Sequence, residues 1–202
     1  MGTFKKFKYQ FQKPEGLFGR LAGTLMASVG FEKNVWTVSL LELSKDDNVL
    51  EVGFGPGTAI QLAARKIKEG KVVGIDYSEV MLQQAQKRNK QSIQEGKVQL
   101  KIADVNDSIS FDLRFDKVFS VNSIIFWEDP VETLKRIRQF MNPDGVIALT
   151  VQPFIKGATE ETSKQFGNEI AKHLKQAEFS DIRVELKELK PVPTVCVLGI
   201  NR

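Results

Sequence analysis

The chain has 202 residues, 42% of them apolar and 27% charged, with a formal net charge of +4 and a pI near 9.1. That length fits one domain with a small appendage and a full core, and the composition excludes a disordered, collagenous or coiled-coil protein. A single cysteine, Cys196, and a single histidine, His173, leave no internal disulfide, zinc finger or histidine-based metal site, and they point to a reducing compartment.

The N-terminal stretch is basic and aromatic. Lys5, Lys6, Lys8 and Lys13 all precede the first acid, Glu15, and are interleaved with Phe4, Phe7, Tyr9 and Phe11. Such an arm can grip nucleic acid or an anionic membrane, but a terminal flap folded over its own domain is the commoner arrangement. No stretch reaches the ~18 apolar residues of a membrane span. Leu21 to Phe31 is short, rich in Gly, Ser and Thr, and too deep for a signal peptide, so a cytoplasmic location is expected. Residues 1–45 read as a helical cap. Within it Phe18 and Arg20, set among Gly16, Gly19 and Gly23, form a candidate lid on the substrate side.

From Asn48 onward, short apolar runs alternate with longer amphipathic ones. Val49 to Val52 is followed by glycines and a helical stretch from Thr58 to Glu69; Val72 to Asp76 is followed by a helix from Ser78 toward Gln94. Val98 to Ile102 ends at Ala103-Asp104, and Phe115 to Val121 is apolar enough to be a strand buried on both faces. Asp129-Pro130 is an N-cap acid with proline at the first helical position, and Asn142-Pro143-Asp144-Gly145 signals a turn. Val146 to Val151 is the fifth strand, before a helix over residues 160–177. Ile182 to Leu189 and Val195 to Ile200 are joined by Pro191-Val192-Pro193, which leaves no room for a crossover helix, so the pair is an antiparallel hairpin. The predicted fold is α/β: a doubly wound, mostly parallel seven-stranded sheet with an antiparallel C-terminal hairpin strand, in one domain over 1–202.

Chemistry is most legible at Glu51-Val52-Gly53-Phe54-Gly55-Pro56-Gly57-Thr58. Glycines on a strand-to-helix turn let backbone approach a ligand that faces the helix N–H groups. Asp76 ends the second strand, 19 residues after Gly57, where an acid accepts hydrogen bonds from both hydroxyls of a ribose. The dinucleotide fingerprint would place its third glycine at Thr58, and Glu51 would oppose a pyrophosphate. A carboxylate there suits the ammonium of an amino-acid moiety instead. These residues therefore disfavour a nicotinamide dehydrogenase.

At this point the chain resembles the class I S-adenosylmethionine-dependent methyltransferases, in particular the small-molecule branch that includes the quinone-biosynthesis methyltransferases. The likeness runs from Asp47 to the C-terminus. Val49 to Gly57 is similar to the family's first motif and Val73 to Leu82 to its second, whose acid, here Asp76, holds the ribose. Ala103-Asp104-Val105 is similar to the third, where Asp104 and the Val105 amide would meet the adenine edge. Phe115 to Asn122 is similar to the fourth, and Phe140 to Gly145 to the turn before the fifth strand. The resemblance implies S-adenosyl-L-methionine as cofactor, with S-adenosyl-L-homocysteine as product. It places Glu51, Gly53, Gly55 and Gly57 around the cofactor, Tyr77 and Met81 beside the adenine, and Asn122 beside the methionine tail.

A methyl on a sulfonium is already activated, so no general base is obligatory and none is legible in the sequence. Phe126 and Trp127, just past Asn122, form an aromatic wall for a flat or apolar small-molecule acceptor, with core packing as their plainer role. His173 reads as a helix-edge histidine and Cys196 as a small buried side chain. Two rival readings stand beside methylation of a small molecule. A nucleic-acid methyltransferase is disfavoured by Asn122-Ser123-Ile124-Ile125 where amino-DNA enzymes carry Asp/Asn-Pro-Pro-Tyr/Phe. A protein that binds the cofactor without transfer is the other, and monomer and homodimer both remain open.

Overall fold

A computed structural model describes residues 30–107 and 109–202. The basic arm, Phe18, Arg20 and most of the predicted cap lie outside the described residues. Of the cap, the structure shows α1 (Phe31–Leu40). Then come β1 (Val49–Val52), α2 (Thr58–Lys66), β2 (Val72–Asp76), α3 (Glu79–Arg88), α4 (Lys90–Gln94), β3 (Val98–Ile102) and β4 (Phe115–Val121). A 3-10 turn (Ile124–Phe126) leads to α5 (Pro130–Gln139), β5 (Met141–Val151), α6 (Glu160–Gln176), β6 (Ser180–Lys187) and β7 (Thr194–Ile200).

The seven strands form one sheet in the order β3-β2-β1-β4-β5-β7-β6. Strands β1 to β5 are parallel, and β7 runs antiparallel between β5 and β6. Alternate side chains of each strand enter opposite layers. Leu50, Val73, Val118 and Leu149 join one cluster with Leu134 of α5 and Phe166 and Ile170 of α6. Val49, Val72, Phe119 and Ala148 join another with Val38 of α1, Ile60 of α2 and Ala85 of α3. Burial of each such side chain contributes roughly 1.5–3 kcal/mol. The strand order reverses between β1 and β4, which opens a crevice at the carboxyl edge, the usual place for a ligand in this architecture.

Local chemistry sets the element ends. Asp129 caps α5 by accepting from Glu132 N–H, with Pro130 at the first position, and a Thr159–Thr162 capping box starts α6. The first hairpin strand spans Ser180–Lys187 instead of the expected Ile182 to Leu189, and three other boundaries differ from the sequence expectation for local reasons. The helix from Ser78 is broken at Asn89, whose buried amide donates to Gly57 O at 3.0 Å and Ala85 O at 2.9 Å. The helix after the glycine turn stops at Lys66, because Ile67 turns extended. The strand before Val146 begins already at Met141. Phe115 pairs with Met141 and Lys117 with Val146, so the Asn-Pro-Asp-Gly turn loops out of a continuing strand. Asp144 takes a left-handed φ of 60° there, and its N–H donates to Asn201 O at 2.7 Å.

Candidate functional site

The glycine turn connects β1 to α2 at the carboxyl edge. Gly53, Gly55 and Gly57 have φ of 80°, 49° and 77°, in the left-handed region that favours glycine. A side chain at Gly53 would collide with Ser123, and one at Gly57 would stand 2.7 Å from Ala85 Cβ and Asn89 Nδ2. Among the described residues nothing lies within 4 Å of where a Cβ on Gly55 would be, which leaves that side of its backbone open to a ligand. Gly57 is the N-cap residue of α2 and offers no side chain to the helix N–H groups.

Two buried acids flank this turn. Glu51, at the middle of β1, is 2% exposed. One carboxylate oxygen accepts from Ile60 N–H in the first turn of α2, while Oε2 is buried with no hydrogen-bond partner among the described residues. Burial, and secondarily the Asp76 carboxylate, push the Glu51 carboxyl well above its ordinary range. Asp76 ends β2, with Oδ2 accepting from Gly55 N–H at 2.8 Å and Oδ1 from Ser78 N–H at 2.9 Å. Burial raises its pKa as well, against the lowering by those N–H groups. Two neighbouring buried carboxylates with an orphaned oxygen are electrostatically incomplete, and a cation completes them.

The remaining residues of the first three motifs gather beside Asp76. Tyr77 is 46% exposed, and partial burial, followed by the Asp76 and Asp104 carboxylates, raises the pKa of its phenol. Met81 is buried in α3, where its N–H donates to Ser78 Oγ at 3.4 Å. Asp104 is exposed beyond β3 and accepts from both nitrogens of Asn106, while Val105 O accepts from Arg136 Nη2 at 3.1 Å. One residue absent from the sequence reading belongs here. Ile102 pairs with Asp76 across the sheet and is 46% exposed, an apolar surface beside Tyr77. Its signal was an apolar residue at the strand end, one place before Ala103-Asp104.

On the other side of the crevice, Asn122 leaves β4 with a left-handed φ of 58°. Its Oδ1 accepts from Gln152 N–H at 2.8 Å, tying the ends of β4 and β5 together. Phe126 is half-buried on the 3-10 turn. Trp127 is 5% exposed within the core, and its indole N–H donates to Ser123 Oγ at 3.1 Å. The structure thus brings Trp127 beneath the turn rather than into an open wall with Phe126. His173 is half-buried in α6, and burial pushes the Cys196 thiol on β7 up to about 12. Among the described residues no group of three His, Cys, Asp or Glu side chains is placed to hold a metal ion.

A family profile described as "Methyltransferase domain" matches residues 49–145, the span from the glycine turn to the start of β5. The uncharacterized methyltransferase YdaC of Bacillus subtilis (strain 168) is 36% identical over 176 residues, covering 87% of this chain and 95% of that one. The chain belongs to the class I S-adenosylmethionine-dependent methyltransferases. The fold agrees. A crystal structure of a SAM-dependent methyltransferase from Aquifex aeolicus superposes with a TM-score of 0.71 at 18% identity, over 91% of this chain and 98% of that one. Phosphoethanolamine N-methyltransferase 2 of Haemonchus contortus, solved with S-adenosyl-L-methionine, gives a TM-score of 0.72 at 15% identity, over 99% of this chain and 60% of that one. Among the described residues of this methyltransferase the donor set suits the cofactor: carboxylates and an unpartnered buried oxygen for its cationic tail, and no cluster of cations beside the glycine turn that would prefer a pyrophosphate.

Proposed function

We propose that this methyltransferase methylates a small molecule in one domain over 1–202, with residues 1–45 as a cap on the acceptor side. In this reading Glu51 Oε2 balances the ammonium of the cofactor and Asp76 accepts from its ribose hydroxyls. Gly53, Gly55 and Gly57 let backbone approach it, Asp104 and the Val105 amide meet the adenine edge, Tyr77 and Met81 flank the ring, and Asn122 borders the methionine tail. Bound S-adenosylmethionine supplies a methyl on a sulfonium, whose release as a thioether makes the transfer favourable. The protein's own contribution is to hold the acceptor in line and exclude water.

The observation that carries the acceptor class is the apolar 3-10 turn after Asn122. Ile124 and Ile125 are buried and Phe126 is half-buried where amino-DNA enzymes carry Asp/Asn-Pro-Pro-Tyr/Phe. Phe126 is the proposed acceptor wall, Trp127 positions it from beneath, and Phe18 is the proposed lid residue. The resemblance to the quinone-biosynthesis branch rests on motifs alone.

The test has two stages. Calorimetric titration with S-adenosylmethionine and S-adenosylhomocysteine, with NAD and NADP as controls, should show binding of the first pair only. Asp76→Ala should abolish most of that binding; unchanged affinity would refute the ribose assignment. Transfer of a labelled methyl is then followed with a small-molecule panel beside RNA and DNA. Label entering nucleic acid alone would overturn the acceptor class, and cofactor binding without any transfer would favour a sensor.

A further inference from the structure

The acceptor side of the crevice holds a cation that methyl transfer by itself does not explain. Lys33 lies on α1 and is 5% exposed. Its Nζ donates to Gln152 Oε1 at 3.4 Å and stands 4.6 Å from the centroid of the Phe154 ring. No ion pair among the described residues includes it. An ammonium has three donors, so one long bond to a neutral amide and one ring face leave most of its capacity unused. A buried charge in that condition is expensive to keep.

Its position is fixed by the residues that join it to the crevice. Gln152 immediately follows β5, and both of its amide hydrogens are taken, by Lys190 O at 3.2 Å and Val192 O at 2.9 Å. That leaves the amide oxygen for Lys33. The Gln152 N–H donates to Asn122 Oδ1 at 2.8 Å, and the next residue, Ser123, crowds against Gly53 of the glycine turn. Lys33 is therefore tied through Gln152 and Asn122 to the carboxyl ends of β5 and β4. This is the side of the glycine turn away from Asp76.

We infer that Lys33 is the anion-binding residue of the acceptor subsite, so that the acceptor is a small molecule bearing a carboxylate or phosphate that pairs with Lys33 Nζ while its methylated atom faces Asn122. This rests on the methyl-transfer reading above. Burial lowers the Lys33 pKa to about 8, which leaves the group mostly protonated at neutral pH and an incoming anion able to restore its charge balance. The anion is a handle remote from the reacting atom, since pairing the nucleophile itself with a cation would blunt it.

The experiment uses the full chain saturated with S-adenosylhomocysteine and titrates it calorimetrically with benzoate, phenyl phosphate and neutral benzamide. The expected result is that one or both anions bind at least about tenfold more tightly than benzamide, the scale of a charge-assisted hydrogen bond. A preference for benzoate over phenyl phosphate, or the reverse, assigns carboxylate or phosphate. Lys33→Met should erase the preference while leaving S-adenosylhomocysteine affinity unchanged, and Lys33→Arg should retain it. Equal binding of all three probes, binding of none, or an equal loss for all three in Lys33→Met would overturn the inference. Failure of the wild-type chain to bind S-adenosylhomocysteine would instead refute the methyl-transfer reading, and this inference with it.

Discussion

The buried ammonium of Lys33 makes a quantitative statement about stability. Its pKa falls from an ordinary 10.5 to about 8, with burial as the cause. Unfolded chain therefore binds the proton more tightly than folded chain, and stability rises with pH between those two values. At 1.36 kcal/mol per pKa unit, the lysine destabilises the fold by about 3 kcal/mol at pH 7. By pH 9.5 the penalty has dropped to about 1 kcal/mol, because the folded group is then almost fully neutral. Lys33→Met keeps the length of the side chain and removes the charge. Without ligand it should exceed wild type by up to about 3 kcal/mol at pH 7, or about 6–12 °C in Tm for a chain of this size. Cys196 and Tyr77, whose pKa values are raised by burial, pull wild-type stability downward over the same alkaline range. The difference between wild type and Lys33→Met cancels them. Urea unfolding of both proteins at pH 7 and pH 9.5 measures it. A variant less stable than wild type at pH 7, or a gap that does not narrow with pH, would refute the unpaired-cation reading.

Glu51 gives the opposite sign. Its folded pKa is raised, so the stability linked to its protonated form is complete below the unfolded pKa and lost as pH climbs through the folded one. Ligand-free Glu51→Gln should match wild type near pH 4.5 and melt above it at pH 8, yet lose at least about tenfold in S-adenosylhomocysteine affinity. Gly53→Ala combines a left-handed φ with a collision against Ser123 and should cost about 2–4 kcal/mol in denaturant unfolding. Adding Ser123→Gly should recover part of that, since it relieves the collision and not the φ. Trp127→Ala should lose about 3–5 kcal/mol in urea unfolding. Trp127→Phe should lose about 1 kcal/mol, the hydrogen bond to Ser123, and leave S-adenosylhomocysteine titration within about twofold of wild type.

Much of the sheet was legible because it is built from period-two apolar runs closed by turn residues, and the hairpin followed from a linker too short for a crossover. The glycine turn and Asp76 were legible for the same local reason: their roles depend on neighbours in sequence. What stayed hidden depends on distant partners. The helix break at Asn89 exists because its amide reaches Gly57 O, thirty-two residues back in sequence. In α1 the buried residues are Lys33, Thr37 and Val38, whereas Phe31 and Val35 are 48% and 41% exposed. Apolar periodicity alone would have turned that helix the other way. Its inward face meets polar groups at the strand ends: Thr37 Oγ1 lies 2.7 Å from Thr150 Oγ1, four residues along the helix from Lys33. Trp127 illustrates a third limit, since an aromatic in sequence does not declare whether it faces a ligand or the core.

The placement of β7 between β5 and β6 has a consequence for biosynthesis. As the polypeptide emerges, β1 to β5 can assemble in turn, each new parallel strand following a crossover that is helical except between β3 and β4. β5 then presents a bare row of N–H and C=O groups while α6 and β6 are made, because β6 does not pair with it. Only when Thr194 to Ile200 arrive do both open margins close, in a single step, through the pairings of β7 with β5 and β6. A nascent or prematurely terminated chain ending before Thr194 thus displays two adhesive strand margins above an apolar layer, the condition under which partly made proteins associate.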